Sequence, residues 1–199
     1  TYSKATVIAP KQMRVTGSVI ESANESRAVI PRRRKHPMLP LAYISDNWQK
    51  WLPALAVLCA VLWLIAFRSA PTSEQAMFAA LLVIYMLHQT EEHLWPGGFR
   101  QFANSHVFKS GRDGVALINI GYVWLPLALA AIFPGPLRWL GLGWVGLTLI
   151  NALTHIVTTI RFRVYNPGLA TSIVLFLPFT IWALWFEHGR LFESLGFAY

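Results

Sequence analysis

A single cysteine, Cys59, and a scarcity of charged residues distinguish this 199-residue sequence. One cysteine excludes an internal disulfide and a zinc site built from several thiolates. Charged residues make up 13% of the chain. Soluble domains carry about 25%, so much of the usual solubilising surface is missing. Hydrophobic residues reach 55% and nine residues are tryptophan, which excludes a disordered chain. The composition predicts an integral membrane protein.

The positive charge is concentrated at the N-terminal end. The formal net charge is +8, and residues 1–51 hold nine of the seventeen lysines and arginines against three acidic residues. A run of four basic residues, 32–35, precedes the first apolar segment. Such a run is typical of a topogenic signal, and it also favours anionic lipid headgroups. No interleaved aromatic residues or recognition motif accompany it, so we expect the bilayer as its partner and no nucleic acid.

Five apolar stretches predict transmembrane helices, and each is long enough to cross about 30 Å of hydrocarbon at 1.5 Å per residue. They cover residues 51–67, 75–94, 115–133, 137–160 and 169–186. Prolines 53, 126 and 178 fall inside these stretches, where proline kinks a helix more often than it ends one. The predicted fold class is all-α, a polytopic membrane helix bundle.

The remaining segments complete the predicted organisation. Residues 1–50 are expected to form an extended basic cytoplasmic arm, 51–67 an additional first helix, 75–186 a four-helix membrane domain, and 187–199 a short tail. The arm lacks the apolar core of a signal peptide. Its scattered apolar residues cannot build a core alone, so we expect contacts outside the bundle, including other membrane subunits, to hold it.

The distribution of basic residues predicts the orientation. With the N-terminus in the cytoplasm, fourteen of the seventeen basic residues lie on the inside and three, Arg68, Arg138 and Arg190, on the outside. The opposite orientation reverses this ratio. The positive-inside rule therefore predicts a cytoplasmic N-terminus and an external C-terminus.

Ionisable residues inside membrane segments usually mark function. The second predicted helix ends in the sequence His-Gln-Thr-Glu-Glu-His, in which His88, Glu91 and Glu92 share one helix face. The fourth carries Asn151 and His155 one turn apart. These residues, together with Asn119 of the third helix, lie at a similar depth below the cytoplasmic interface. His93 and His106 are expected at the interface, and His36 and His188 in solvent.

Two imidazoles and two carboxylates at one depth resemble the ligand sets of zinc and non-haem iron sites. We therefore predict that His88, Glu91, Glu92 and His155 bind a divalent metal, with Asn119 and Asn151 orienting the ligands. The spacing Glu-x-x-His also recurs in carboxylate-bridged di-iron bundles, so a two-metal site is an alternative. A further alternative is structural: an ion pair closing the helix end, with Asn151 forming an interhelical hydrogen bond.

These motifs also resemble a known family. The segment from His88 to Glu92, followed by Pro96-Gly97-Gly98-Phe99, is similar to the HXXEE-domain proteins, which are bacterial integral membrane proteins. The stretches 151–155 and 163–169 match as well, so the resemblance covers about residues 76–180. It implies that His88, Glu91, Glu92, Asn151 and His155 act as a set in a bacterial inner membrane. It identifies no reaction or substrate.

Two functions from different classes follow. The first is a metalloenzyme, hydrolytic or oxidative, that acts on a lipid-soluble substrate with Glu91 or Glu92 as general base. In that case Arg161, Arg163 and Tyr165 are placed to receive an anionic headgroup. The second is a non-catalytic accessory subunit of a respiratory or photosynthetic membrane complex. The absence of an inverted repeat argues against a transporter.

Overall fold

The computed structural model describes residues 40–70 and 73–194, which are helical apart from turns and contain no β-strand. Six helices follow one another. α1 consists of Pro40–Asn47, a 3-10 turn at Trp48–Trp51 and Leu52–Phe67. α2 is Glu74–His93, α3 is Phe99–His106 and α5 is Arg138–Phe162. α4 comprises Arg112–Ala116, π-helical Leu117–Trp124 and Leu125–Ile132. α6 comprises Leu169–Thr171, π-helical Ser172–Phe176 and Leu177–Ser194.

Four helical segments are long and apolar enough to cross a membrane: Tyr43–Phe67, Arg112–Ile132, Arg138–Phe162 and Leu169–His188. The predicted all-α fold with several candidate spans is therefore confirmed. α2, expected as a fifth span, has 20 residues but is less apolar because polar residues occupy both of its ends. It lies at the centre of the bundle, where it contacts each of the other five helices and buries half of its residues.

The ends of the bundle differ from the sequence-based prediction. Residues 40–50 are helical and not extended, since Tyr43–Phe67 forms one apolar helix that begins before the predicted start at residue 51. The predicted extended arm otherwise falls on residues 1–39, which lie outside the described part of the chain. α6 continues to Ser194, so the segment predicted as a tail from residue 187 begins inside a helix. The short helix α3 was not predicted.

An apolar core joins α2 to α4, α5 and α6. Phe78, Leu81, Leu127, Val145 and Phe176 are fully buried in it. α5 packs closely on α2 at Gly141. A Cβ atom added to this glycine would lie only 2.4 Å from the Phe78 ring. A second cluster around Leu52, Ala56 and Met86 packs α1 against α2 and α4. These contacts fix the axial position of α2, and with it the position of its polar C-terminal end.

Two π-helical stretches precede prolines inside α4 and α6. The backbone N–H of Leu125 donates to the carbonyl of Ile120, and that of Leu177 donates to Ser172, each one residue wider than an α-helical bond. Pro126 and Pro178 follow directly. A proline offers no N–H and clashes with the carbonyl four residues earlier, so widening the preceding turn lets the helix continue.

A partly buried ion-pair network joins three helices at the end of the bundle where α2 and α5 begin. Arg138 Nε donates to Glu74 Oε1 at 2.9 Å, and Arg138 Nη2 donates to Glu187 Oε2 at 2.7 Å. The Glu187 side chain is almost completely buried. The network therefore ties α2, α5 and α6 together at the end opposite the Glu-Glu pair of α2.

Candidate functional site

Three side chains from two helices meet at the C-terminal end of α2. Glu92 Oε1 lies 3.4 Å from His88 Nε2, one turn earlier on α2, and 3.3 Å from His155 Nε2 on α5. All three residues are buried. Their potential ligand atoms lie within 4.8 Å of one another, and together they form the histidine–glutamate cluster.

The dimensions of the histidine–glutamate cluster suit a metal ion. Two ligand atoms bonded to zinc at about 2.0–2.1 Å in tetrahedral geometry stand about 3.3 Å apart, close to the two distances from Glu92 Oε1. His88 Nε2 is buried and has no hydrogen-bond partner among the described residues. Buried polar atoms of this kind are rare and call for an unseen partner. A cation would supply that partner and compensate the buried carboxylate charge.

Thr171 determines which nitrogen of His88 faces the cluster. Its hydroxyl lies 2.5 Å from Glu91 Oε2 and 2.8 Å from His88 Nδ1. A carboxylate only accepts hydrogen bonds, so the hydroxyl donates its single proton to Glu91 and accepts from His88 Nδ1–H. Nε2 of the neutral ring therefore carries the lone pair. This is the arrangement in which metal-binding histidines are usually held by a hydrogen bond on their other nitrogen.

Glu91 points away from the cluster, although it neighbours Glu92 in the sequence. Its carboxylate accepts hydrogen bonds from the backbone N–H of Ala170, at 3.0 Å, and of Thr171, at 2.7 Å. It also accepts from the hydroxyl groups of Thr171 and Tyr165. Burial and the bond to Glu91 raise the pKa of Tyr165 to about 12, so its phenol remains a donor at neutral pH. Glu91 thus anchors the N-terminus of α6 to α2.

Gly168 brings the chain against both imidazoles. Its φ is +105°, and a Cβ atom there would lie 2.5 Å from His155 Cε1 and 2.8 Å from His88 Cε1. Glycine meets both requirements, because it adopts positive φ freely and has no side chain. The turn before α6 therefore packs directly against both imidazoles of the cluster.

Asn119 lies in a neighbouring hydrogen-bond network. Its Oδ1 accepts from Gln89 Nε2 at 2.5 Å, and Gln89 Oε1 accepts from Trp124 Nε1 at 2.6 Å. Asn119 Nδ2 approaches His93 Nε2 at 3.5 Å. His93 Nε2 in turn lies 3.6 Å from the second oxygen of Glu92. Asn119 thus reaches the cluster only through His93, which is enclosed between Trp48 and Phe99.

Two small cavities adjoin the histidine–glutamate cluster. One of about 200 Å³ is bounded by Glu92 and His155, and one of about 190 Å³ by Glu92 and His88. Half-buried Asn151 borders both and forms no hydrogen bond with His155. Aromatic side chains form much of the remaining walls, with Phe99 and Phe108 common to both cavities. A molecule that approaches the cluster here meets mainly apolar surface.

The structure thus brings together His88, Glu92 and His155 from the predicted ligand set, while Glu91 turns to α6. His93, expected at the interface, is nearly buried beside Glu92. Its place directly after the two glutamates was a signal that sequence reasoning did not use. Gly168 and Thr171 were missed as site residues. The Asn-Pro-Gly turn indicated the glycine, but nothing in the sequence linked Thr171 to His88.

The fold and the site define a class: an all-helical protein with several candidate membrane spans and a buried histidine–glutamate cluster between two helices. Residues 79–183 match the family model described as "protein of unknown function with HXXEE motif". The match covers more than half of the chain, so this protein belongs to the HXXEE family. It includes every residue of the cluster and leaves out α1. Comparisons with curated proteins and with solved structures give no match.

Proposed function

We propose that this protein is a membrane-embedded metalloenzyme in which His88, Glu92 and His155 bind one divalent cation, zinc or non-haem iron. The observation that carries the proposal is the buried cluster, whose atoms have ligand-like separations and whose His88 Nε2 has no hydrogen-bond partner among the described residues. A single ion fits better than two, because Glu91 is engaged by four hydrogen-bond donors and does not face the cluster.

The chemistry follows from the ligand types. Two histidines and one carboxylate leave open positions, which in zinc sites activate water for hydrolysis and in iron sites admit oxidative chemistry. The chain's own residues prepare that centre. Thr171 orients the His88 ring so that Nε2 faces the cluster, and Gly168 together with Phe99 restricts access of water to His155.

The substrate we propose is lipid-soluble. Both cavities beside the cluster have walls of phenylalanine and aliphatic side chains. Most of the exposed wall surface is apolar, and Asn151 is one of the polar residues common to both cavities. Binding sites for small molecules often combine apolar walls with a few polar groups that orient the ligand. Asn151 is therefore the residue we propose to orient the substrate.

We further propose that the protein lies in the bacterial inner membrane with its N-terminus in the cytoplasm. The distribution of basic residues supports this orientation. Contacts between Trp48 and His93 and between Asp46 and Arg112 put the start of α1 at the same end as the cluster. The cluster then lies near the cytoplasmic face, where Arg100, Arg161 and Arg163 also occur.

Metal analysis tests the proposal. Full-length protein, purified in detergent and loaded with Zn²⁺ or Fe²⁺ under anaerobic conditions, is expected to retain about one ion per chain after desalting. His155→Ala and Glu92→Gln should each lose most of it, because each removes one of three ligands. His106→Ala is the matched control, since His106 packs on Phe102 and Phe162 outside the cluster.

Retention of the ion by His155→Ala, or failure of the parent protein to retain either ion, would contradict the proposal. Thermal melting of each variant shows that the fold has survived. If the parent protein retains neither ion, the alternative function, an accessory subunit of a larger membrane complex, becomes the leading one. The broad apolar surface of α1, on which Val57, Leu62 and Ile65 are exposed, is the feature that favours it.

A further inference from the structure

A polar cavity of about 300 Å³ lies beside the histidine–glutamate cluster, between α1, α3 and α4. Seven of its lining residues have polar or charged side chains: Ser45, Asp46, Gln49, His93, Arg100, Gln101 and Arg112. We call it the interfacial cavity, because exposed Trp51 and Trp95 occur at the same end of the bundle. Tryptophan is enriched at the headgroup level of membranes. The volume of the interfacial cavity is at the lower end of the range for small-molecule binding sites.

The charges around the interfacial cavity leave one cation uncompensated. Arg112 forms an ion pair with Asp46, which also lines the cavity, and lies 3.4 Å from Asp113. Arg100 has no ion pair or hydrogen bond with any other described residue. It is the second residue of α3, whose N-cap, Gly98, provides no capping side chain. The unpaired N–H groups of this first turn add to the positive potential around Arg100.

We propose that the interfacial cavity binds a phosphate-type anion, with Arg100 as its principal contact. The guanidinium group matches the oxygens of a phosphate in geometry and charge. The amide groups of Gln49 and Gln101, which also border the cavity, provide neutral N–H donors. The anion is either the headgroup of an anionic lipid or a free phosphate. Binding needs no metal ion in the neighbouring cluster.

Lipid binding by the full-length protein in detergent tests the site. Native mass spectrometry would measure the affinity for dioleoyl phosphatidate and for dioleoyl phosphatidylcholine. The parent protein is expected to prefer phosphatidate, and Arg100→Gln to weaken its binding about tenfold, which corresponds to about 1.4 kcal/mol. Lys109→Gln removes one positive charge from an exposed position between α3 and α4, outside the cavity, and should leave the affinity within about twofold.

A second variant acts in the opposite direction. Asp46→Asn removes the carboxylate that pairs with Arg112, so the cavity becomes more positive and should bind phosphatidate more tightly. Thermal melting in inorganic phosphate identifies the source of the anion. If inorganic phosphate stabilises the parent but not Arg100→Gln, and does not compete with phosphatidate for binding, the natural ligand is a soluble anion. Competition between the two ligands supports a lipid headgroup in the same cavity.

Equal losses in Arg100→Gln and Lys109→Gln would overturn the proposal, because they would show non-specific attraction to basic residues. Failure of the parent to bind either anion would do the same. The result is independent of the metal centre. His155→Ala should bind phosphatidate like the parent protein, even though it loses the metal ion.

Discussion

The position of Gly168 requires glycine for two reasons: the backbone is left-handed, and there is no room for a side chain beside His88 and His155. Each demand alone costs energy when another residue occupies the site. Strain at positive φ costs of the order of 1–3 kcal/mol, and overpacking typically costs another 1–3 kcal/mol. The backbone at Gly168 therefore contributes to the shape of the histidine–glutamate cluster as directly as its side chains do.

We predict that Gly168→Ala destabilises the protein by roughly 2–4 kcal/mol and displaces the two imidazoles. Thermal melting would show the first effect and a loss of bound metal the second. Gly143→Ala is the matched control, because Gly143 is exposed on α5 with no other atom within 4 Å of the added carbon. An unchanged melting temperature in Gly168→Ala would contradict the role given to this residue.

Part of the site could be predicted at the level of single residues. The i, i+4 spacing of His88 and Glu92 puts both on one helix face, and the depth argument brings His155 to the same level. The directions in which the two glutamate side chains point could not be predicted. Glu91 and Glu92 are neighbours in sequence but about 100° apart around the helix, so which of them meets His155 depends on how α5 and α6 pack.

Glu91 determines how α6 begins. A carboxylate close to the first N–H groups of a helix compensates unpaired donors and interacts favourably with the helix dipole. Here the carboxylate comes from α2, so the contact fixes one helix on another. It also holds Thr171 in the position from which its hydroxyl accepts from His88.

We predict that Glu91→Gln and Glu92→Gln have different effects. Glu91→Gln weakens the attachment of α6 and should lower the stability by about 1.5–3 kcal/mol, the range for hydrogen bonds to a charged group, while most of the bound metal is retained. Glu92→Gln removes a ligand and should abolish metal binding. Metal content and thermal melting of the two variants, measured in parallel, provide the test. Equal metal loss in both would return Glu91 to the ligand set.

The helices were predictable where hydropathy alone decides their extent. The α5 and α6 stretches begin within one residue of the expected positions, because Pro-Gly sequences mark the preceding turns. The prediction failed where short polar sequences fold against the bundle. Residues 40–50 continue α1 because Trp48 packs on His93 and Trp124. α3 forms because Phe102 and Ala103 face the bundle. Neither contact is visible in a local window of sequence.

The described residues contain five long helices, namely the four candidate spans and α2. With the start of α1 in the cytoplasm, as proposed, five crossings put the end of α6 outside. We predict that cysteines introduced on a Cys59→Ala background report this orientation. In intact bacterial spheroplasts, an impermeant maleimide should label Ser69→Cys, between α1 and α2, but not Ser105→Cys on α3. Labelling of Ser105→Cys alone would reverse the proposed orientation and place the cluster near the outer surface.

The ion-pair network of Arg138 and the histidine–glutamate cluster hold α2 at its two ends, and this arrangement sets a length for the whole molecule. Glu74 and Glu92 are separated by eighteen residue steps, or about 27 Å along a helix. Neither end can slide into hydrocarbon without breaking the contacts of its carboxylate. In the proposed membrane placement we expect α2 to match a bilayer with a hydrocarbon core of about 27–30 Å. A thicker membrane would have to thin locally around the bundle, since tilting cannot lengthen a span whose ends are fixed to its neighbours.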